Sequence, residues 1–201
     1  MSTGPAAQRG AAALIAALAL LAPLAALAAD LEAGRQKAQA CAACHGLGGN
    51  SINPVVPSIS GQPAQFITMQ LFQFREGNRK DPQMTPMAAG LSDADMNDLA
   101  AYFSMQKPAP PARRTAPENA SVAPRLAQQF NCVQCHGPAL LGLQHIPRLA
   151  GQQHDYLRTQ LRGFKSGTRA DLDGNMTAAA QALSEADIDI LADYLSGLGS
   201  P

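Results

Sequence analysis

The chain has 201 residues, 15 of them Lys or Arg and 15 Asp or Glu, so its formal charge is zero. That balance provides no basic footprint for nucleic acid, and 46% hydrophobic residues against 15% charged exclude a disordered chain. Only 4% of the residues are aromatic and none is Trp, so the side chains with the largest buried areas are scarce and something besides side chains is expected to fill the interior.

In chain order, the first feature is a leader. Arg9 is the only charge before Asp30, and it precedes an Ala-rich apolar run, residues 11–28, interrupted by Pro23. The run ends in Ala26-Leu27-Ala28, small residues where a signal peptidase reads them, so cleavage is expected after Ala28 or Ala29 and the mature protein is expected to be exported. The alternative is an uncleaved anchor, but a span needs about 20 strongly apolar residues.

The rest of the chain resembles itself. Gly61-Gln62, Phe66, Gln70-Leu71, Phe74 and Gly77-Asn78-Arg79 recur 90 positions later as Gly151-Gln152, Tyr156, Gln160-Leu161, Phe164 and Gly167-Thr168-Arg169. Cys41-Ala42-Ala43-Cys44-His45-Gly46 recurs at an offset of 91 as Cys132-Val133-Gln134-Cys135-His136-Gly137. Met84-Thr85 and the stretch Leu91 to Asp95 recur at 92 as Met176-Thr177 and Leu183 to Asp187. This is a tandem duplication. Residues 107–117 between the copies contain four Pro and no apolar period, which reads as a stiff extended linker. The expected organisation is a signal peptide (1–29), a first domain (30–107), a linker (108–118) and a second domain (119–201).

Each copy reads as all-α. Short helices over 31–40 and 124–130 lead into the CxxCH segments, with Pro124 in a first turn. Ile67, Leu71 and Phe74 form a helical stripe that Leu157, Leu161 and Phe164 repeat. Ser92 and Ser184 are N-caps with acids in the following turn, and Leu99, Tyr102 and Phe103 match Leu191, Tyr194 and Leu195 on the closing helices.

CxxCH is the signature of covalent c-type haem attachment. Two thiols about one helical turn apart can each add to a vinyl group on one porphyrin edge, while the adjacent His reaches under the plane to the iron. Chance would place even one such motif in a chain of this composition roughly once in a thousand shuffles. Two disulfides, a thioredoxin-like pair or a zinc site are the competing readings of four Cys, and none explains why His follows both pairs. Two covalently bound haem c groups are therefore expected, on Cys41 and Cys44 and on Cys132 and Cys135.

With His45 and His136 as one axial ligand each, the other position separates an electron carrier from an enzyme with an open iron. Met84 and Met176 are the candidates, each eight residues before its Ser cap. Met87 aligns with Ala179 and reads as packing; Met69, Met96 and Met105 also lack Met partners and read as core or surface filler. His/Met ligation favours the reduced state relative to bis-His. Pro57 and Pro147, equivalent after each CxxCH, have carbonyls that could fix the second ring nitrogen of each His, or they merely shape loops. Arg148 could pair with a haem propionate where the first copy has Ser58, raising the second potential. His145 and His154 lack counterparts and read as surface or loop residues. Arg158, Arg162, Lys165 and Arg169 read as a solvated face or as a docking patch for an acidic redox partner.

These motifs, with the FREGNR and FKSGTR helix endings, the LSDAD and LSEAD caps and the AAYFS and ADYLS closing helices, resemble the cytochrome c4 family of dihaem cytochromes. The resemblance spans nearly all of the chain after the leader. It implies two tandem class I cytochrome c domains and iron ligation by His45/Met84 and His136/Met176. It further implies a periplasmic or membrane-associated carrier of single electrons, from a quinol-oxidising complex or dehydrogenase to a terminal oxidase or reductase. The alternative is a dihaem subunit of an oxidoreductase complex, resembling the partner of a sulfide-oxidising flavoprotein; the chain has no nucleotide-binding fingerprint of its own. A dihaem peroxidase would need an open sixth position, which Met at matching places in both copies disfavours. Pro124-Arg125 replaces Ala33-Gly34 of the first copy, which puts close packing of the second pair of terminal helices in question.

Overall fold

The structure is a computed structural model and describes residues 29–199. The expected leader lies outside the described residues except for Ala29. All regular structure among the described residues is helical, apart from one bridge between Leu143 and Ile146. No helix among them is long and apolar enough to cross a membrane.

The first half contains α1 (Leu31–His45), a 3-10 turn at Leu47–Gly49, α2 (Ala64–Arg75), α3 (Met84–Ala88) and α4 (Asp93–Ser104). The second contains α5 (Pro117–Gln129), α6 (Cys132–His136), α7 (His154–Ser166), α8 (Asn175–Gln181) and α9 (Glu185–Gly197). In each, the first and the long middle helix pack on the closing helix: α1 and α2 on α4, α5 and α7 on α9. The expected stripes supply the cores. Ile67, Leu99, Ala100 and Phe103 join Ala38 in the first, while Leu157, Ile188, Leu191 and Leu195 join Ala127 and Leu140 in the second. The closing helices start as expected: Ser92 Oγ and Ser184 Oγ accept from the amides of Asp95 and Asp187, whose carboxylates accept in return from the two Ser amides.

The helices that carry the cysteines differ from expectation. Instead of ending near residue 40, α1 runs through the whole motif to His45 and stops at Gly46, whose φ of 76° a helix cannot continue. Ala38, Ala40, Ala42 and Ala43 favour that continuation. At its start, the Asp30 carboxylate accepts from the amides of Glu32 and Ala33, and the Asp30 amide donates to Asp98 on α4 at 2.7 Å. A cap thus doubles as a clamp between the terminal helices. Gly34 lies at their crossing, where a Cβ would come within 2.2 Å of the Asp98 carbonyl oxygen.

In the second half α5 opens at Pro117, well before Pro124, which lies inside the helix rather than in its first turn. An internal Pro forfeits a bond to the preceding turn and costs about 3 kcal/mol or more, so tertiary packing must hold this helix. Ala123 and Ala127, one turn apart, are fully buried against the α9 side of the core while Arg125 is exposed. The terminal helices therefore pack closely without an equivalent of Gly34. Asn131, left-handed at φ 58°, then breaks the path, and α6 carries the second motif separately.

The connection over residues 107–116 has no helix but is held at both ends. Asn50 binds it through the Lys107 carbonyl and the Ala109 amide, and Asp193 accepts from the Ala116 amide and pairs with Arg113 at 3.0 Å.

Candidate functional site

Each histidine of the CxxCH motifs closes its helix with the ring turned inward. His45 is 6% and His136 3% exposed, and in both the Nδ1 atom lies 2.8 Å from a proline carbonyl oxygen, Pro57 in one half and Pro147 in the other. A carbonyl only accepts, so Nδ1 carries the proton in both rings and Nε2 keeps a free lone pair. Burial pushes both imidazole pKa values down, against the opposing effect of the proline bond, which keeps that lone pair available near neutral pH. Between the two readings of Pro57 and Pro147, the acceptor role is the one observed.

All four cysteines are free thiols, with Cys44 and Cys135 exposed. Cys41 and Cys132 are half-buried against the edges of the two cores, and burial raises both thiol pKa values. No disulfide links either pair, and no cluster of three or more His, Cys, Asp or Glu suited to a metal ion exists among the described residues.

The two candidate methionines lie in the first turn of short helices, and each is tethered by an aspartate that sequence reasoning missed. Asp81 accepts from the Met84 amide at 2.9 Å, and Asp171, its equivalent in the repeat, accepts from the Met176 amide at 2.7 Å. Thr85 and Thr177 complete both tethers through their hydroxyls. Asp81 also acts electrostatically on His45, opposing the effect of burial on its pKa. Met87 departs from its expected packing role, being 53% exposed, whereas Met96 is core and Met105 exposed surface.

The basic groups divide into two sets. The expected docking face is largely neutralised: Arg158 pairs with Asp189, Arg162 with Glu185 and Asp189, and Lys165 donates to the carbonyls of Gln181 and Leu183. Arg169 does not belong to it. Together with its repeat equivalent Arg79 it lies where the halves meet. Each guanidinium sits over a phenylalanine, at 4.6 Å for Arg79 on Phe74 and 4.3 Å for Arg169 on Phe164, and Arg79 crosses to Tyr156 and Gln160 of the second half at 3.1 and 3.0 Å. Burial would raise the Tyr156 phenol, but the two guanidiniums outweigh it and leave its pKa lowered; burial brings Arg169 down to about 10. His145 is exposed, as expected, and His154 is half-buried beside Asp155.

Arg148 shows best whether the residues fit an anionic prosthetic group. It is 4% exposed, donates to the carbonyls of Ala150 and Ser60, and among the described residues pairs with no carboxylate and has a buried Nε without a partner; burial lowers its pKa. A buried guanidinium with no counter-charge and an orphaned donor is costly, and an acid group of the expected haem answers both needs. With paired thiols and an open Nε2 in each half, the residues fit haem c.

The cytochrome c family model matches residues 31–106 and 123–199. Cytochrome c4 from Thiocapsa roseopersicina is 40% identical, over 84% of this chain and 93% of that protein. A protein of Stutzerimonas stutzeri (strain A1501) named thiosulfate dehydrogenase electron acceptor is 38% identical, over 81% of this chain and 80% of its own length. The crystal structure of reduced recombinant cytochrome c4 from Pseudomonas stutzeri superimposes with a TM-score of 0.80 at 34% identity, covering 85% of this chain and 100% of that one. Duplicated CxxCH helices, matched histidine acceptors and these similarities together establish that the chain belongs to the cytochrome c family, among the cytochromes c4, electron-transfer proteins with covalently bound haem c.

Proposed function

We propose that the protein carries two haem c groups, one in each half, and passes single electrons between redox partners in the periplasm. Cys41 and Cys44 would hold the first group through their sulfurs and Cys132 and Cys135 the second, with His45 and Met84, and His136 and Met176, as the residues that would bind the two irons. Bound haem c supplies an iron that cycles between ferrous and ferric states. The observation that carries the reading is the duplicated 2.8 Å bond from histidine Nδ1 to a proline carbonyl, the arrangement by which a metal-ligating imidazole is oriented and made more basic.

The chain's own residues do the rest. Asp81 and Asp171 hold the methionine segments by their amides, while both short helices pack on the long middle helix of their half. With Met84 and Met176 as ligands, each iron would have no place left for a substrate and would only exchange electrons. Arg148 would offer its unpartnered Nε to a propionate.

The donor is a quinol-oxidising complex or a dehydrogenase, and the acceptor a terminal oxidase or reductase, with peripheral membrane association where the partner is membrane-bound. The relative named thiosulfate dehydrogenase electron acceptor favours a dehydrogenase among the donors. It also supports a second reading, in which the chain is the cytochrome subunit of an oxidoreductase complex; co-purification of a catalytic chain separates the two. The ligand assignment is tested by the spectrum of the oxidised protein. A band for charge transfer from Met sulfur to ferric iron is expected, halved in Met84→Ala and in Met176→Ala and lost in the double variant; ligation unperturbed by either change would overturn the assignment.

A further inference from the structure

The Gly-Gln pair at 61–62 and 151–152 is the part of the repeat that haem attachment and ligation leave unused. Its glutamines are buried, Gln62 at 2% and Gln152 at 5% exposure, and each reaches into the opposite half. The Ser58 amide donates to Gln152 Oε1 at 2.8 Å, and Gln152 Nε2 donates to the Ser58 carbonyl at 2.8 Å. Reciprocally, the Arg148 amide donates to Gln62 Oε1 at 2.9 Å, and Gln62 Nε2 donates to the Arg148 carbonyl at 2.9 Å. Ser58 and Arg148 are themselves repeat equivalents, so the interface has the same contact twice, related by an exchange of halves.

The bonded amides are not arbitrary. The Ser58 N–H belongs to the same peptide unit as the Pro57 carbonyl, which accepts from His45; the Arg148 N–H belongs to the unit whose Pro147 carbonyl accepts from His136. A peptide is one conjugated group, and drawing its N–H toward an acceptor moves electron density to its oxygen, so that linked hydrogen bonds strengthen one another. Each glutamine therefore makes the proline carbonyl of the other half a better acceptor, strengthens the bond to Nδ1 and raises the basicity of Nε2. A more basic axial ligand stabilises the ferric state.

We propose that Gln62 and Gln152 are positioning residues that set the iron potential across the interface, Gln152 lowering that of the His45 centre and Gln62 that of the His136 centre. The inference rests on the axial roles of His45 and His136 given above. Mere adhesion between the halves would not require that both amides fall on the one peptide in each half that already holds the histidine.

The test uses the intact holoprotein with Gln62→Met and Gln152→Met, which keep side-chain length and remove the amide. Redox titration is followed by NMR, so that the two halves report separately. Gln152→Met is expected to raise the potential of the His45 centre alone and to move the His45 Nδ1–H resonance of the reduced protein upfield; Gln62→Met is expected to do the same at His136. Shifts confined to the substituted half, equal shifts in both, or none would overturn the proposal. A measurement on the unsubstituted protein guards against variants that come apart: scalar coupling across the hydrogen bond from the Ser58 and Arg148 amide nitrogens to the glutamine side-chain carbons is expected, and its absence would also overturn it. Failure of the ligation reading is distinct, since a protein without His-ligated haem would fail in its absorption spectrum before any variant was compared.

Discussion

The behaviour of each centre depends on a few atoms around one imidazole. Nδ1 is tied to a carbonyl in both halves, but the surroundings differ at the next residue: Ser58 follows Pro57, whereas Arg148 follows Pro147. The buried Arg148 guanidinium would repel the positive charge that oxidation adds to a nearby haem iron, and so would favour the ferrous state. Arg148→Ala is expected to lower the potential of the second centre more than that of the first. Potentials unchanged in both would show that the orphaned Nε serves something other than a propionate. The CxxCH motifs are legible in the sequence because they are short and local, and Met84 and Met176 stand out as ligand candidates by their matching places in the repeat. Arg79, Arg169 and Tyr156 could not: Arg79 and Tyr156 are 77 positions apart, and only the folded interface brings their charges and phenol together.

Among the elements, the terminal-helix crossing is the most exacting contact. Gly34→Ala would press a methyl against the Asp98 carbonyl at 2.2 Å, and overpacking of this kind costs about 1–3 kcal/mol; thermal or denaturant unfolding should show a loss of that order, while the same change at exposed Gly90 should not. Lys37 spans the same two helices, bonding Asp95 at 2.7 Å and Asp98 at 2.6 Å. Its ammonium lowers both carboxyl pKa values, and the two carboxylates raise its own. Carboxylates with depressed folded pKa stabilise the fold above about pH 4, the ordinary range, and lose that contribution as pH falls through the folded values. The lysine contribution is present below about pH 10 and lost as pH rises through its raised value. The difference in stability between the wild type and Lys37→Met should therefore be widest between those limits and narrow on both sides. A difference that stayed constant into acid would show that packing, not charge, holds the contact. The caps and apolar stripes of α4 and α9 were legible in sequence because they are local and periodic. The true extent of α5 was not: the internal Pro124 signals a helix start, and only burial of Ala123 and Ala127 against the other helices overrides it.

Taken whole, the molecule is two copies of one small helical unit joined face to face. Units of this size are marginal by side-chain burial alone, and the scarcity of aromatic residues sharpens that shortage. A covalently held haem in each copy would supply the large apolar body that the sequence lacks. The duplication itself was readable from offsets of 90 to 92, but the reciprocal glutamine contacts were not, since a repeat shows that two residues are equivalent without showing what either one touches. The most direct test of the account is the haem content of the protein matured in a host that attaches haem c. Intact mass after denaturation, with a pyridine haemochrome assay, should give two covalent haems per chain, falling to one when Cys41 and Cys44 are both replaced by Ala and to one when Cys132 and Cys135 are. A mass without haem, or a single haem that survives both pairs of substitutions, would contradict it.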